Sequence, residues 1–175
     1  MTDVKTILEA AVDSGADLTG VDLEYANLRC ADLRDADLEG TNLRYTDLRD
    51  ADLRNINLRD ASLRFANLRG TNLEGADLGS TDLGGADLRG AHLQNADLVG
   101  ANLESADLRN TNLRDADLRY ANLRYTDLRS VDLESADLRG ADLRGADLRD
   151  AILDDTGIKA DAAFGPESDQ SEVIA

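Results

Sequence analysis

Leucine stands at every fifth position from Leu18 to Leu153, 28 times without a gap. Two residues before it comes a small side chain, directly before it usually Asp or Asn, as in Ala31-Asp32-Leu33-Arg34-Asp35 and Ala136-Asp137-Leu138-Arg139-Gly140. A period of five matches neither the helical 3.6 nor the strand period of 2, so a continuous helix or strand would scatter these leucines over every face. Such self-similarity has to be read before any local propensity. If the chain turns a corner after each unit, four units make a square coil. Every Leu and every small residue two before it then points inward, and coils stack through backbone hydrogen bonds about 4.8 Å apart.

Tandem A-[D/N]-L-x-x units of this kind, from about Ala16 to Thr156, resemble the pentapeptide-repeat family. The resemblance implies an all-β fold, a right-handed quadrilateral β-helix of about seven coils, with family members differing widely in role. Residue chemistry agrees with it. Leucines such as Leu18, Leu38, Leu63, Leu88, Leu113 and Leu138 form an interior column alternating with Ala51, Ile56, Thr71 and Val131. Each buried Leu contributes about 1.5–3 kcal/mol, set against a comparable ordering entropy, and no single repeat is stable alone.

The ends differ from the middle. Thr2 or Asp3 is expected to cap a short helix in residues 1–15, with Val4, Ile7, Leu8, Ala11 and Val12 on one stripe and Gly15 near its stop. That helix would lid residues 16–156, because an open end exposes the leucine column and unpaired backbone groups. In residues 157–175, Ile158 and Phe164, together with Ile152, are expected to seal the last coil, ahead of an acidic and flexible tail from Pro166. With no basic-then-apolar leader and no long apolar run, the chain reads as cytoplasmic, without membrane contact. The single cysteine, Cys30, rules out an internal disulfide and falls at an outward corner.

Sorting by twenty separates four faces, beginning at Leu18, Leu23, Leu28 and Leu33. On the third face the residue after Leu is always arginine, from Arg29 to Arg149, opposed by Asp47, Asp50, Asp87, Asp107, Asp127, Asp147 and Asp150. This balance predicts a ladder of cross-coil ion pairs; a phosphate track is the other reading, although nucleic-acid binding would want unbalanced positive charge.

The chain carries a net charge of −17, and the repeats hold 17 Arg against 29 Asp and Glu. Most of the excess lies on the adjoining first and fourth faces, through Asp77, Asp97, Asp117 and Asp137 on one and Asp115 and Glu134 on the other. A rod about 34 Å long with this edge would reach roughly half the charge density of duplex DNA. Some members of the family act as DNA mimics on type II topoisomerases such as DNA gyrase, and this edge would carry such a role. Two departures weigh against it: the loops of the gyrase-protecting members are absent, and no convincing C-terminal helix pairs two rods. Asp before Leu also has a plain structural use in turns.

Tyr25, Tyr45 and Phe65 share one corner in successive coils, with Tyr125 on the same column and Tyr120 one corner earlier. Gly79, Gly84, Gly85 and Gly90, with Ser80, strip the middle of the rod of side chains. An aromatic strip beside a smooth glycine patch is a candidate partner or homodimer surface. Its alternative is structural, with aromatics shielding one corner and glycine supplying positive φ at others. His92, the only histidine, has Asn72 and Asn112 as column neighbours and no catalytic context, and no cofactor or metal is implied. The expected function is a non-enzymatic interaction or scaffold module, monomeric or homodimeric, that binds a protein partner through its outer faces rather than nucleic acid directly. The alternative is a DNA-mimicking regulator of a type II topoisomerase. An engineered consensus rod is a third reading, against which Ser62, His92, Gln94 and Val99 argue mildly.

Overall fold

The computed structural model describes residues 3–156. Parallel bridges join residues twenty apart without interruption, from Asp22 with Asn42 to Asp132 with Ile152. From Leu23 to Leu133 each leucine N–H donates to the carbonyl 19 residues on, as Leu23 to Asn42 at 2.8 Å, and from Asn42 to Ile152 the residue before each leucine donates 21 residues back, as Asn42 to Val21 at 3.0 Å. Four short straight segments and four corners therefore close one coil, and each coil pairs edge to edge with the next.

The corner is the same everywhere. The first residue of a unit donates to the preceding leucine carbonyl, as Ala31 to Leu28 at 3.0 Å, and the residue just before it has positive φ, the pattern of a type II turn. All corner positions from Gly15 to Asp155 share this conformation, 10 of them glycine and 19 not. Positive φ is thus a property of every corner, the aromatic ones included, and is not confined to the glycines.

The interior is the leucine column with its small-residue rings; Leu63, Leu88 and Leu113 have no exposed surface and Leu18, at the first coil, is still buried. Six threonines are the buried polar residues among those described, and each hydroxyl donates to a leucine carbonyl, as Thr81 to Leu58 at 2.6 Å and Thr126 to Leu123 at 2.6 Å. The polar atoms inside are therefore satisfied rather than stranded.

Helix α1, Val4–Asp13, packs on the N-terminal end. Asp3 caps it by accepting the Thr6 N–H at 2.7 Å, and Gly15 follows its C-cap Ser14 with φ 69°. Leu8 is buried in the core, and Ala11 and Val12 pack against it. Val4 and Ile7 are exposed, which corrects the expected stripe: the first coil offers apolar surface only to the half of α1 nearer the rod. Glu9 accepts the Asp32 N–H at 3.0 Å, standing in for the carbonyl that a preceding coil would supply. Ile152 does not seal the other end. It occupies an outward ladder position and is exposed, because the residue before Leu faces away from the core throughout. Ile158, Phe164 and the acidic tail lie outside the described residues.

Candidate interaction surfaces

Because the residues on either side of each leucine point outward together, side chains two apart are immediate neighbours. The oxygen of Asp or Asn before Leu accepts the backbone N–H two residues on, as Asn57 from Arg59 at 3.1 Å and Asp97 from Val99 at 2.9 Å. This bond fixes the carboxylate and explains the Asp/Asn preference locally. Ten arginines then close a fork on the aspartate of their own repeat; Arg109 Nε and Nη2 donate to Asp107 at 2.9 and 2.6 Å. The third-face ladder is thus built chiefly within repeats. Cross-coil contacts exist but are longer, Arg89 to Asp107 at 3.4 Å, Arg109 to Asp127 at 3.3 Å and Arg129 to Asp147 at 3.7 Å. The expected order of strength is reversed because the neighbour two residues away is fixed in place before any coil stacks on it.

Where Asn or Ser precedes the leucine, the arginine has no carboxylate in its own repeat. Arg29 then reaches Asp50, Arg59 reaches Asp77, Arg64 reaches Asp82 and Arg114 reaches Glu134, all in the next coil. These pairings reshape the acidic edge. Asp77, Asp117, Asp137 and Glu134 are each bound by an arginine, while Asp97 and Asp115 have none among the described residues. The glycine patch is likewise not bare. A Cβ on Gly79 would lie 2.7 Å from the Arg59 guanidinium, and one on Gly84 would lie 2.6 Å from that of Arg64, so these two glycines are the floor on which the arginines cross between coils.

The aromatic corner forms as a stack. Tyr25 and Tyr45 lie 5.1 Å apart at 7° and Tyr45 and Phe65 5.3 Å apart at 18°. Three rings lean toward the following coil and rest on its corner glycine: Phe65 over Gly85, Tyr120 over Gly140 and Tyr125 over Gly145, where a Cβ would come within 2.5–2.6 Å of the ring. Arg44, Arg64 and Arg124 lie beside Tyr45, Phe65 and Tyr125 at 5.6, 5.2 and 5.3 Å from their centroids. The rings nonetheless keep much of their surface open, 70 % for Tyr25 and Tyr120, 58 % for Tyr125 and 41–46 % for Tyr45 and Phe65. Tyr120 stands at another corner and joins no stack. Asp97 and Asp115 on the first and fourth faces and the Tyr25–Phe65 stack between the second and third are separate surfaces.

The family model described as "Pentapeptide repeats" matches residues 16–55, 56–95, 96–134 and 116–155, in eight copies. The chain belongs to the pentapeptide-repeat family. Among solved structures it is similar to a pentapeptide repeat protein from the thylakoid lumen of Arabidopsis thaliana, with 34 % identity and a TM-score of 0.57 over 58 % of this chain and 70 % of that one. It is also similar to HetL, a pentapeptide repeat protein involved in heterocyst differentiation regulation in the cyanobacterium Nostoc, with 29 % identity and a TM-score of 0.47 over 91 % of this chain and all of that one. QnrB1, a plasmid-mediated fluoroquinolone resistance protein, shares the fold at 17 % identity and a TM-score of 0.52, over 82 % of this chain and 76 % of its own. No curated protein matches the chain. The architecture is accordingly the right-handed β-helix of pentapeptide-repeat proteins, a family of structural and interaction modules.

Other expected features sit plainly on this pentapeptide-repeat rod. His92 is an exposed rung between Asn72 and Asn112, and Cys30 is an exposed corner thiol. No helix among the described residues is long and apolar enough to cross a membrane. What sequence reasoning missed is the sorting of arginines into those that own a carboxylate and those that do not, signalled by Asn or Ser before the same leucine.

The forks make stability depend on acid. Hydrogen bonds from the partner arginine hold Asp47, Asp52, Asp107, Asp127 and Asp147 below the usual carboxylate range, opposed by partial burial, and those from Arg139 bring Asp137 to about 2. A carboxylate depressed on folding adds stability that is present above its unfolded pKa of about 4 and is lost as pH falls through the folded value. Melting temperatures taken from pH 7 to pH 2 should therefore drop most steeply between about 4 and 2. A profile unchanged down to pH 2 would contradict the forks.

Proposed function

We propose that the chain is a non-enzymatic interaction module, a rod of seven coils spanning residues 16–156 and lidded by residues 1–15, that binds a protein partner through its aromatic corner. The observation that carries this reading is the preassembled Tyr25–Tyr45–Phe65 stack. Three rings are held parallel by the coil spacing and remain open to solvent, so little side-chain freedom is left to lose on binding. Tyr125 lies further along the same corner, and Tyr120 adds an exposed ring at the adjacent one. The filled leucine interior leaves the outer faces as the part of the molecule that meets other molecules, in keeping with the family's general character.

Affinity enrichment with quantitative mass spectrometry tests the reading against its alternative. Proteins retained by the native chain should be lost with the Tyr45→Ala/Phe65→Ala pair and kept with the Asp97→Asn/Asp117→Asn/Asp137→Asn triple. The opposite pattern would favour DNA mimicry, and retention by both variants would sink both readings. The Asn triple preserves the turn, because Asn27 and Asn57 already accept the same backbone N–H.

The DNA-mimic alternative, with a type II topoisomerase as partner, draws on the charge of −17 and on Asp97 and Asp115, whose carboxylates are bound by no arginine among the described residues. It ranks second because arginines bind Asp77, Asp117, Asp137 and Glu134, and because the likeness to QnrB1 is one of fold. Its direct check is a DNA gyrase supercoiling assay, where inhibition by the native chain that is lost with the Asn triple would establish it.

A further inference from the structure

We infer that the third face holds a binding site for a single oxyanion, the carboxylate or phosphate monoester of a ligand, centred on Arg69. This inference does not depend on the aromatic corner.

Of the 17 arginines in the repeats, 14 contact a carboxylate. Two of the other three, Arg44 and Arg124, lie against Tyr45 and Tyr125. Arg69 has neither. Its place in the repeats shows why. The residue before its leucine is Asn67, whose oxygen accepts only the Arg69 backbone N–H at 3.3 Å. In the next coil Asp87 is already forked by Arg89, with bonds of 2.8 and 2.5 Å. Arg29 solves the same problem by reaching the corner Asp50, but the corresponding corner above Arg69 is Gly90. Its own corner is Gly70, so no ring is at hand either.

The result is a shallow groove of about 370 Å³ lined by Arg29, Arg49, Asp50, Arg69, Gly70 and Arg89. Asp50, Asp47 and Asp87 answer Arg29, Arg49 and Arg89 respectively, and the one positive charge left over is that of Arg69. Gly70 adds no side chain of its own beside this guanidinium; the neighbour over it is the Asp50 carboxylate, whose Oδ1 lies 3.0 Å from where a Cβ would be and whose Oδ2 is held by Arg29. An exposed guanidinium presents paired donors that match a carboxylate or phosphate edge. On a chain of −17, a lone uncompensated cation between arginines already committed to acids selects a small anionic group over an extended polyanion.

Titration of the isotope-labelled protein with inorganic phosphate and, separately, acetate, followed by the arginine Nε–H signals and the Gly70 amide, tests this. Saturable shifts confined to Arg69 and Gly70 are expected. Arg69→Gln should weaken binding about tenfold or more, reading Gly70, whereas Arg129→Gln, at a fully paired site of the same face, should leave it unchanged. Asn67→Asp is the decisive variant. It keeps Arg69 and supplies the fork seen at Arg49 and Asp47, and should close the site. Saturation by phosphate alone would assign a phosphate monoester; saturation by both would extend the site to carboxylates. Shifts spread evenly over Arg49, Arg109 and Arg129, no saturable shift, or binding unaltered by Asn67→Asp would overturn the inference.

Discussion

Leu63→Asp is expected to destroy the central coils. Leu63 has no exposed surface, and its shell is the leucine column itself, with every nearby polar group already bonded to another. A carboxylate placed there would have to be buried without a partner or stay protonated, and either outcome adds to the loss of leucine packing, for a total cost of about 5 kcal/mol or more. Because a coil touches only its neighbours, damage should begin locally. Hydrogen exchange should show protection lost first around Leu43, Leu63 and Leu83, and chemical denaturation should show a lower midpoint. A midpoint equal to that of the native chain would mean that the leucines do not face inward, and with it the whole register would fall.

The inward set was legible because a period of five admits one way of gathering the leucines, and one residue type per position leaves nothing to competition. Corners were only half legible. Gly85 or Gly140 advertises positive φ, but Tyr25, Asp50 and Ser105 hold the same conformation without announcing it. The outer faces were least legible. Whether Arg59 pairs at home or in the next coil depends on Asn57, on Asp77 and on Gly79 together, so the outcome is a competition across coils that face-by-face charge sums do not resolve. The neutral total on the third face concealed the unpaired Arg69, just as the negative total on the first concealed that Asp117 and Asp137 are already bound. At the ends, Ile152, Val4 and Ile7 read as core from hydrophobicity alone, whereas position decided that they stay outside.

Gly85→Val should be among the most costly single changes on the surface, and it separates the two constraints that meet at an aromatic corner. The backbone there has φ +67°, and a Cβ would come 2.6 Å from the Phe65 ring. The 19 corner residues that are not glycine are Tyr, Cys, Asp, Asn, Phe and Ser, and none is β-branched. A valine therefore meets the left-handed penalty of about 1–2 kcal/mol and also displaces the ring, for a combined cost of about 2–4 kcal/mol. Gly100→Val isolates the first part, since φ is again +67° but the nearest atom to the new Cβ, Ser80 Oγ, lies at 3.9 Å. Removing the ring in a Phe65→Ala/Gly85→Val double variant should recover the second, leaving a cost close to that of Gly100→Val plus the small loss of the Phe65 stack. Urea denaturation of the native chain, Phe65→Ala, Gly85→Val and the double variant gives the coupling directly. If Gly85→Val and Gly100→Val cost the same, the ring does not rest on Gly85, and the stack that presents Tyr25, Tyr45 and Phe65 to a partner would be looser than the geometry requires.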